Sequence, residues 1–336
     1  MSKSSGTKGF ILGFIAALAL ASLGGAALAA TAVVTADGTT ASNDATINTG
    51  VDEQIGMLSK NGGEVINTTT GVINTSGENG HGMKAQGESK AFNYNVINTN
   101  NIESYGMWAL GKSEVHNLTS GLIKTNGMRG LGMLAGTGSK AFNEGLIVTA
   151  GADAYGMVAR KSTSEDLSQA WNKGTILTSG DNAYGMYAWA GSEITNQKNI
   201  GTEGDNAHGM VASDDSRAVN TGRVATRNDD SYGMYALDGS FAGNFGDGVV
   251  RTWGKRSHGI VAEDHSRAVN TGKVITTGNN AHGMLALKGS EVRNEGTIET
   301  SGENARGMVA RNQSKAFNLG NIITKGGNAH GMVARN

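Results

Sequence analysis

Three sets of residues in this 336-residue chain are of types that bind metals or move protons. Asp181, Asp205 and Asp229 recur 24 residues apart. Three carboxylates about 5 Å apart along a stacked chain would suit Ca2+. Five of the seven histidines, His81, His208, His258, His282 and His330, share a second recurring position. Stacked imidazoles would attract a soft metal. Glu165 and Asp166 close the one long insertion, which starts at Lys161. Each set is weak. Ala152 and Lys255 hold the aspartate position in the neighbouring units, so the three aspartates also read as turn formers. Tyr, Leu and Arg interrupt the histidine column. Two adjacent carboxylates without partners cannot flank a scissile bond at the separation that acid–base work requires. No Gly-Gly-x-Gly-x-Asp calcium nonapeptide occurs. The expectation is therefore no catalytic residue, no cofactor and no enzyme, with Ca2+ at Asp181, Asp205 and Asp229 as the only metal candidate.

Composition narrows the field further. Cys and Pro are both absent, which removes disulfide scaffolds, thiolate chemistry and polyproline or collagen structure. The 28 basic and 29 acidic residues nearly cancel, so no nucleic-acid partner is expected. At the N-terminus Lys3 and Lys8 precede an apolar run, Phe10 to Leu23, and then Ala27-Leu28-Ala29. This layout predicts a secretory leader over residues 1–29, with a retained anchor as the alternative because 21 residues can span a bilayer. Either way the remainder is exported, and the mature chain is not expected to be membrane-inserted.

Any chemistry here has to be positioned by a repeat. Gly-Met recurs in register eleven times between Gly56 and Met332, with Gly259-Ile260 filling the one gap. The step is 24 residues, stretched to 26 or 29 in four places. Eight residues before the second position of each mark stands Thr, from Thr49 to Thr324, and two residues before that Ile or Val. Ala follows the mark by two positions in every unit but the first, which has Ser59. An asparagine column runs through Asn67, Asn93, Asn117, Asn143, Asn172, Asn196, Asn220, Asn244, Asn270, Asn294 and Asn318, mostly with Ser four residues ahead. Insertions fall at only two places per unit, which read as turns. The stretches between them are short and alternate in polarity, as strands do. A pair of helices per unit is opposed by the β-branched columns and the frequent glycines. The pattern predicts an all-β parallel β-solenoid over residues 45–336, right-handed by the crossover rule, with about twelve coils of three strands and a length of roughly 55–60 Å.

Stacking explains the columns. Ile and Val make a buried stripe, Met fills the space beside it, and Ala lets sheets approach. An asparagine at a turn can bond both backbone and the asparagine of the next coil, so the column reads as an internal ladder, with Thr as a weaker version. Gly145, Gly174, Gly222, Gly272, Gly296 and Gly320, two residues after asparagines, suggest turns with positive φ. A single Thr column with varied neighbours is a poor lattice for ice binding. Two columns flank the mark: one apolar (Val158, Val211, Val261) one residue after it, and one of His and Tyr (Tyr184, His208, Tyr232) two residues before. Their parity is opposite, so a flat strand cannot bury both. The preferred reading buries the apolar column and turns the His/Tyr column outward as a contact strip.

Units such as TSGDNAYGMYAWAGSEITNQKNI at 178–200 and TSGENARGMVA at 300–310 resemble the N-x-G-x-I…T-x-G-x-x-A-x-G-[IM] repeats of bacterial autotransporter passengers and haemagglutinin-like surface proteins. The resemblance covers residues 45–336. It implies display at the cell surface or outer membrane, or release outside the cell, as a structural adhesin, with a host or bacterial surface ligand as partner. A self-assembling filament or biofilm-matrix subunit is the alternative. Carbohydrate-active enzymes on parallel β-helices carry an irregular catalytic face that this chain lacks. No translocator barrel occurs in the 336 residues. Residues 30–44 are off-pattern and read as an N-terminal cap or a strand lent to a neighbour. Together with the full-strength repeat at His330–Ala334, they suggest head-to-tail stacking of copies.

Overall fold

The computed structural model describes residues 32–161 and 166–335. The leader expected over residues 1–29 and the carboxylate of Glu165 lie outside them. The solenoid unit begins at Ala32. Its described residues form 37 strands in three parallel sheets, here A, B and C, of 13, 12 and 12 strands. The chain is an all-β, right-handed parallel β-solenoid of about twelve turns. Each rung runs A, B, C and then climbs to the next. The first rung comprises β1 (Ala32–Asp37), β2 (Thr40–Asn43) and β3 (Thr46–Thr49); the second comprises β4 (Ile55–Lys60), β5 (Glu64–Asn67) and β6 (Val72–Thr75). Pairing joins β1 to β4, β2 to β5 and β3 to β6, and so on up the stack. No helix among the described residues is long and apolar enough to cross a membrane.

Residues 32–44, off-pattern in sequence, thus pair within their own chain. Val34 lies beside Met57, Ala36 beside Ser59 and Asn43 beside Asn67. Val33-Val34 in place of Gly-Met hides the repeat from a reading based on identities, while the inward positions are kept.

The core is one continuous apolar column. In a middle rung it takes Met210 and Ala212 from sheet A, Ala218 from sheet B and Val224 from sheet C, all essentially inaccessible to solvent. The mark glycine makes this possible. A Cβ on Gly209 would lie 2.1 Å from Val224 Cγ1 and 2.5 Å from the Gly233 carbonyl oxygen. The missing side chain is the socket for the branched residue of sheet C.

Polar groups at the corners are bonded up the stack. Eleven successive Nδ2–H···Oδ1 bonds of 2.7–2.9 Å run from Asn43 to Asn318. Most of these amides also donate to a carbonyl two to four residues on, such as that of Gly222 from Asn220. The serine four residues ahead works differently: its backbone N–H donates to the hydroxyl of the serine in the next rung, as Ser192 does to Ser216 and Ser216 to Ser240. The threonines do not follow the asparagines. Thr202, Thr226 and Thr276 donate to the carbonyl five residues later, closing the turn of their own rung.

The glycines two residues after asparagines require a correction. Gly145, Gly174, Gly222, Gly272, Gly296 and Gly320 are not among the residues with positive φ. Their constraint is axial: a Cβ would sit 2.1–2.3 Å from a carbonyl oxygen of the adjacent rung. Left-handed backbone falls instead on polar residues at the turn into sheet A, such as Asn182, Asn206, Asp230 and Asn280. Asn and Asp tolerate that conformation better than most side chains.

Candidate functional site

The His/Tyr column is not an exposed strip. His81, His208, His258 and His282 are each 5–8% accessible, and Tyr155 is 3%. The apolar column after the mark is buried too, at Val158, Val211, Val261 and Val309. Both are covered because the strand is not flat. Residues three apart come to the same outer side, and from Gly185 onward the backbone bends at the mark glycine. Tyr184 and Tyr187 meet edge to face at 5.9 Å, and Tyr232 and Tyr235 at 5.4 Å. Along the axis the rings stack, Tyr155 on Tyr184 at 4.7 Å and His208 on Tyr232 at 4.7 Å. The two columns bury each other on the outer side of sheet A, which corrects the solvent-exposed contact strip expected for His and Tyr. Burial holds the imidazoles neutral, with His81 and His208 lowered to about 3 and His282 to about 4. Neutral rings spaced along a column, each stacked on a neighbour, do not converge as metal ligands.

Asp181 and Asp229 are axial acceptors, and Asp205 is placed between them. Asp181 Oδ1 accepts the backbone N–H of Asp205 at 2.9 Å, and Asp229 Oδ1 accepts that of Lys255 at 2.8 Å. Among the described residues no group of three or more His, Cys, Asp or Glu side chains forms a metal cluster. Asp166, read as lacking a partner, forms an ion pair with Lys112 at 2.9 Å. That contact crosses rungs and was invisible to local spacing.

The sequence reading missed a different array. The residue immediately before the ladder asparagine faces outward on sheet B, and in four successive rungs it is Phe92, His116, Phe142 and Trp171. Their rings stack at 4.7–4.8 Å with interplanar angles of 4–18°. That spacing equals the rung separation of a sheet, about 4.8 Å, so the ring planes lie across the axis. Faces are consumed by neighbours, and edges point to solvent. Beside them runs a charged column in which Glu114 is held by Lys90 at 3.7 Å and Lys140 at 3.8 Å. His116 Nε2 also lies 3.4 Å from Glu114 Oε2. Burial lowers the His116 pKa, opposed by Glu114. The signal in the sequence was the aromatic run next to the asparagine column.

Such an edge lacks the face-on platform that stacks sugar rings. Aromatic edges carry positive charge, and contact with them suits carbonyl oxygens and other ring faces. Tyr94, two residues after Phe92, is 38% exposed at the next corner.

Residues 15–199, and again 147–248, match the family described as the BigA third pectate lyase-like domain. The chain belongs to this family. The two matches overlap over 147–199, as expected for a repeat that can be aligned in more than one register of whole rungs. Among solved structures, this member of the BigA third-domain family is similar to a chain in "The cryo-EM structure of the Vag8-C1 inhibitor complex". The TM-score is 0.62 and the identity 17%, with 89% of this chain and 80% of that chain covered. At that identity the likeness is one of fold. No curated protein matches the sequence significantly.

Proposed function

We propose that the chain is an exported, surface-displayed β-solenoid of adhesin type that holds contact residues at fixed axial spacing for a protein partner. The observation that carries this reading is the outward stack Phe92–His116–Phe142–Trp171 on an otherwise regular rod. Large rings positioned by the sheet ladder are pre-organised, so little side-chain entropy is lost on contact. The leader pattern of residues 1–29 supports export, and the similar fold in the Vag8–C1 inhibitor complex supports a protein as partner. The reading assigns no catalytic step. Its test uses bacteria expressing the full chain. N-terminal sequencing of the exported product is expected to begin at Ala30. Adhesion to purified extracellular host proteins is expected to fall at least tenfold for Phe142→Ser with Trp171→Ser, since central aromatic contacts contribute about 2 kcal/mol or more. Equal adhesion by a folded double variant rejects the strip as the contact surface.

End-to-end association of copies is the second reading. The outermost described rungs carry the same columns: Val34 stands in the methionine column and Asn43 in the asparagine column, while Met332 and Ala334 continue theirs. Sedimentation of the mature chain checks it. Concentration-dependent growth into long species is expected, and a constant monomer at all concentrations rejects it.

A further inference from the structure

The imidazoles of the His/Tyr column do more than stack. His258 Nδ1 accepts the backbone N–H of His282 at 2.9 Å, and His282 Nδ1 accepts that of Arg306 at 3.1 Å. His208 does the same for Tyr232 at 2.9 Å, and His81 for Tyr105 at 3.2 Å. In three of the lower rungs, where no histidine lies below, the equivalent N–H finds a carbonyl instead: His81 at Gln54, Leu131 at Ser104 and Tyr155 at Gly130. A ring that accepts at Nδ1 carries its proton on Nε2. A second proton would fill the accepting lone pair and set an N–H against the backbone N–H.

We propose that the His258–His282 pair is an acid-sensitive latch that closes the outer side of sheet A at neutral pH and releases those rungs first on acidification. Two observations favour this pair over the other histidines. They are the only two imidazoles stacked directly on each other among the described residues, with centroids 4.9 Å apart. Their surroundings are cationic. Arg256 and Arg311 act on His258, and Arg306, Arg311 and Arg335 act on His282, while Tyr232 covers the other face of the His258 ring. His208 differs, with Asp230 nearby and Tyr184, Tyr232 and Tyr235 around it. His81 meets Lys84, Tyr105 and Trp108. A charge placed on either ring of the pair therefore meets another potential cation and several fixed ones, with no carboxylate among the groups acting on it.

The direction of the pH effect follows from linkage. Burial lowers His258 well below 6.5 and His282 to about 4. Between those values and 6.5 the open chain binds more protons than the closed one, so closure is fully favoured above 6.5 and weakens as pH falls toward 4. In a solenoid each rung contacts only its neighbours, so the loss stays local.

Hydrogen exchange of the full chain, followed by mass spectrometry and normalised to intrinsic rates, tests the proposal at pH 7.5 and pH 4. Peptides spanning residues 256–286 are expected to lose protection at least tenfold. Peptides spanning 150–187, where the column holds Tyr155 and Tyr184, are expected to change less than threefold. Equal losses in both segments, or none in either, overturn the latch without need of a variant. In His258→Tyr with His282→Tyr, side chains the column already accepts, the pH-dependent difference is expected to vanish; its persistence in the folded variant overturns the assignment to these rings.

Discussion

Gly209→Ala is expected to destabilise the solenoid by about 3 kcal/mol or more in urea unfolding. One of the two atoms its Cβ would strike is the side chain of Val224 at 2.1 Å, which has some freedom to turn. The other is the carbonyl oxygen of Gly233 at 2.5 Å, part of the parallel ladder itself. Moving that oxygen breaks an axial hydrogen bond of the ladder, since Gly233 O accepts from Met210 N. The strain propagates to the neighbouring rungs, because they repeat the same glycine. Gly327→Ala is the control: a Cβ there meets nothing nearer than Glu303 Cγ at 4.0 Å. It should lie within about 0.5 kcal/mol of the parent. A loss below ~1 kcal/mol for Gly209→Ala would show that the socket is not closed.

Asn220→Ala in mid-rod should cost about 1–3 kcal/mol for the buried groups it leaves unpaired. Asn220 Oδ1 accepts from Asn196 Nδ2 at 2.7 Å and from the Gly222 N–H at 3.2 Å. Its Nδ2 donates to Asn244 Oδ1 at 2.7 Å and to the Gly222 carbonyl at 3.1 Å. Alanine strands Asn196 Nδ2 on one side and Asn244 Oδ1 on the other, in a site closed to solvent. Asn220→Asp is expected to cost more at neutral pH. It satisfies Asn196 but sets a carboxylate against the Asn244 oxygen and buries an unpaired charge. Urea midpoints for the two variants check the order, and an aspartate variant as stable as the parent would contradict the one-way donor–acceptor run.

The 24-residue step was legible because a parallel stack places like on like. A side chain that suits its neighbour above also suits the one below, so the physical repeat along the axis becomes a repeat in the chain. Met, Ala, Ile or Val and Thr could therefore be sorted into inward columns by spacing, and the two turn positions by where insertions fall. The first rung escaped notice for the same reason: Val34 meets the methionine position by shape and not by identity. The aromatic stack on sheet B went unread because its column mixes Phe, His and Trp with Ile, Thr and Val along its length. Only adjacency in space makes four of them one feature.

What the sequence by itself determined is the period, the parallel strands and their number per coil, all consequences of register in one dimension. The tertiary structure decided what depends on a bend or on an atom. Residues three apart cannot share a face of a flat strand, and the mark glycine makes the strand bend, so Tyr184 and Tyr187 bury each other where parity forbids it. The glycines after the ladder asparagines carry no left-handed φ; a carbonyl of the neighbouring rung leaves no room for a Cβ. Whether an imidazole faces water, a metal or a backbone N–H is set by contacts about 3 Å long between rungs 24 or more residues apart, and no local spacing encodes that distance.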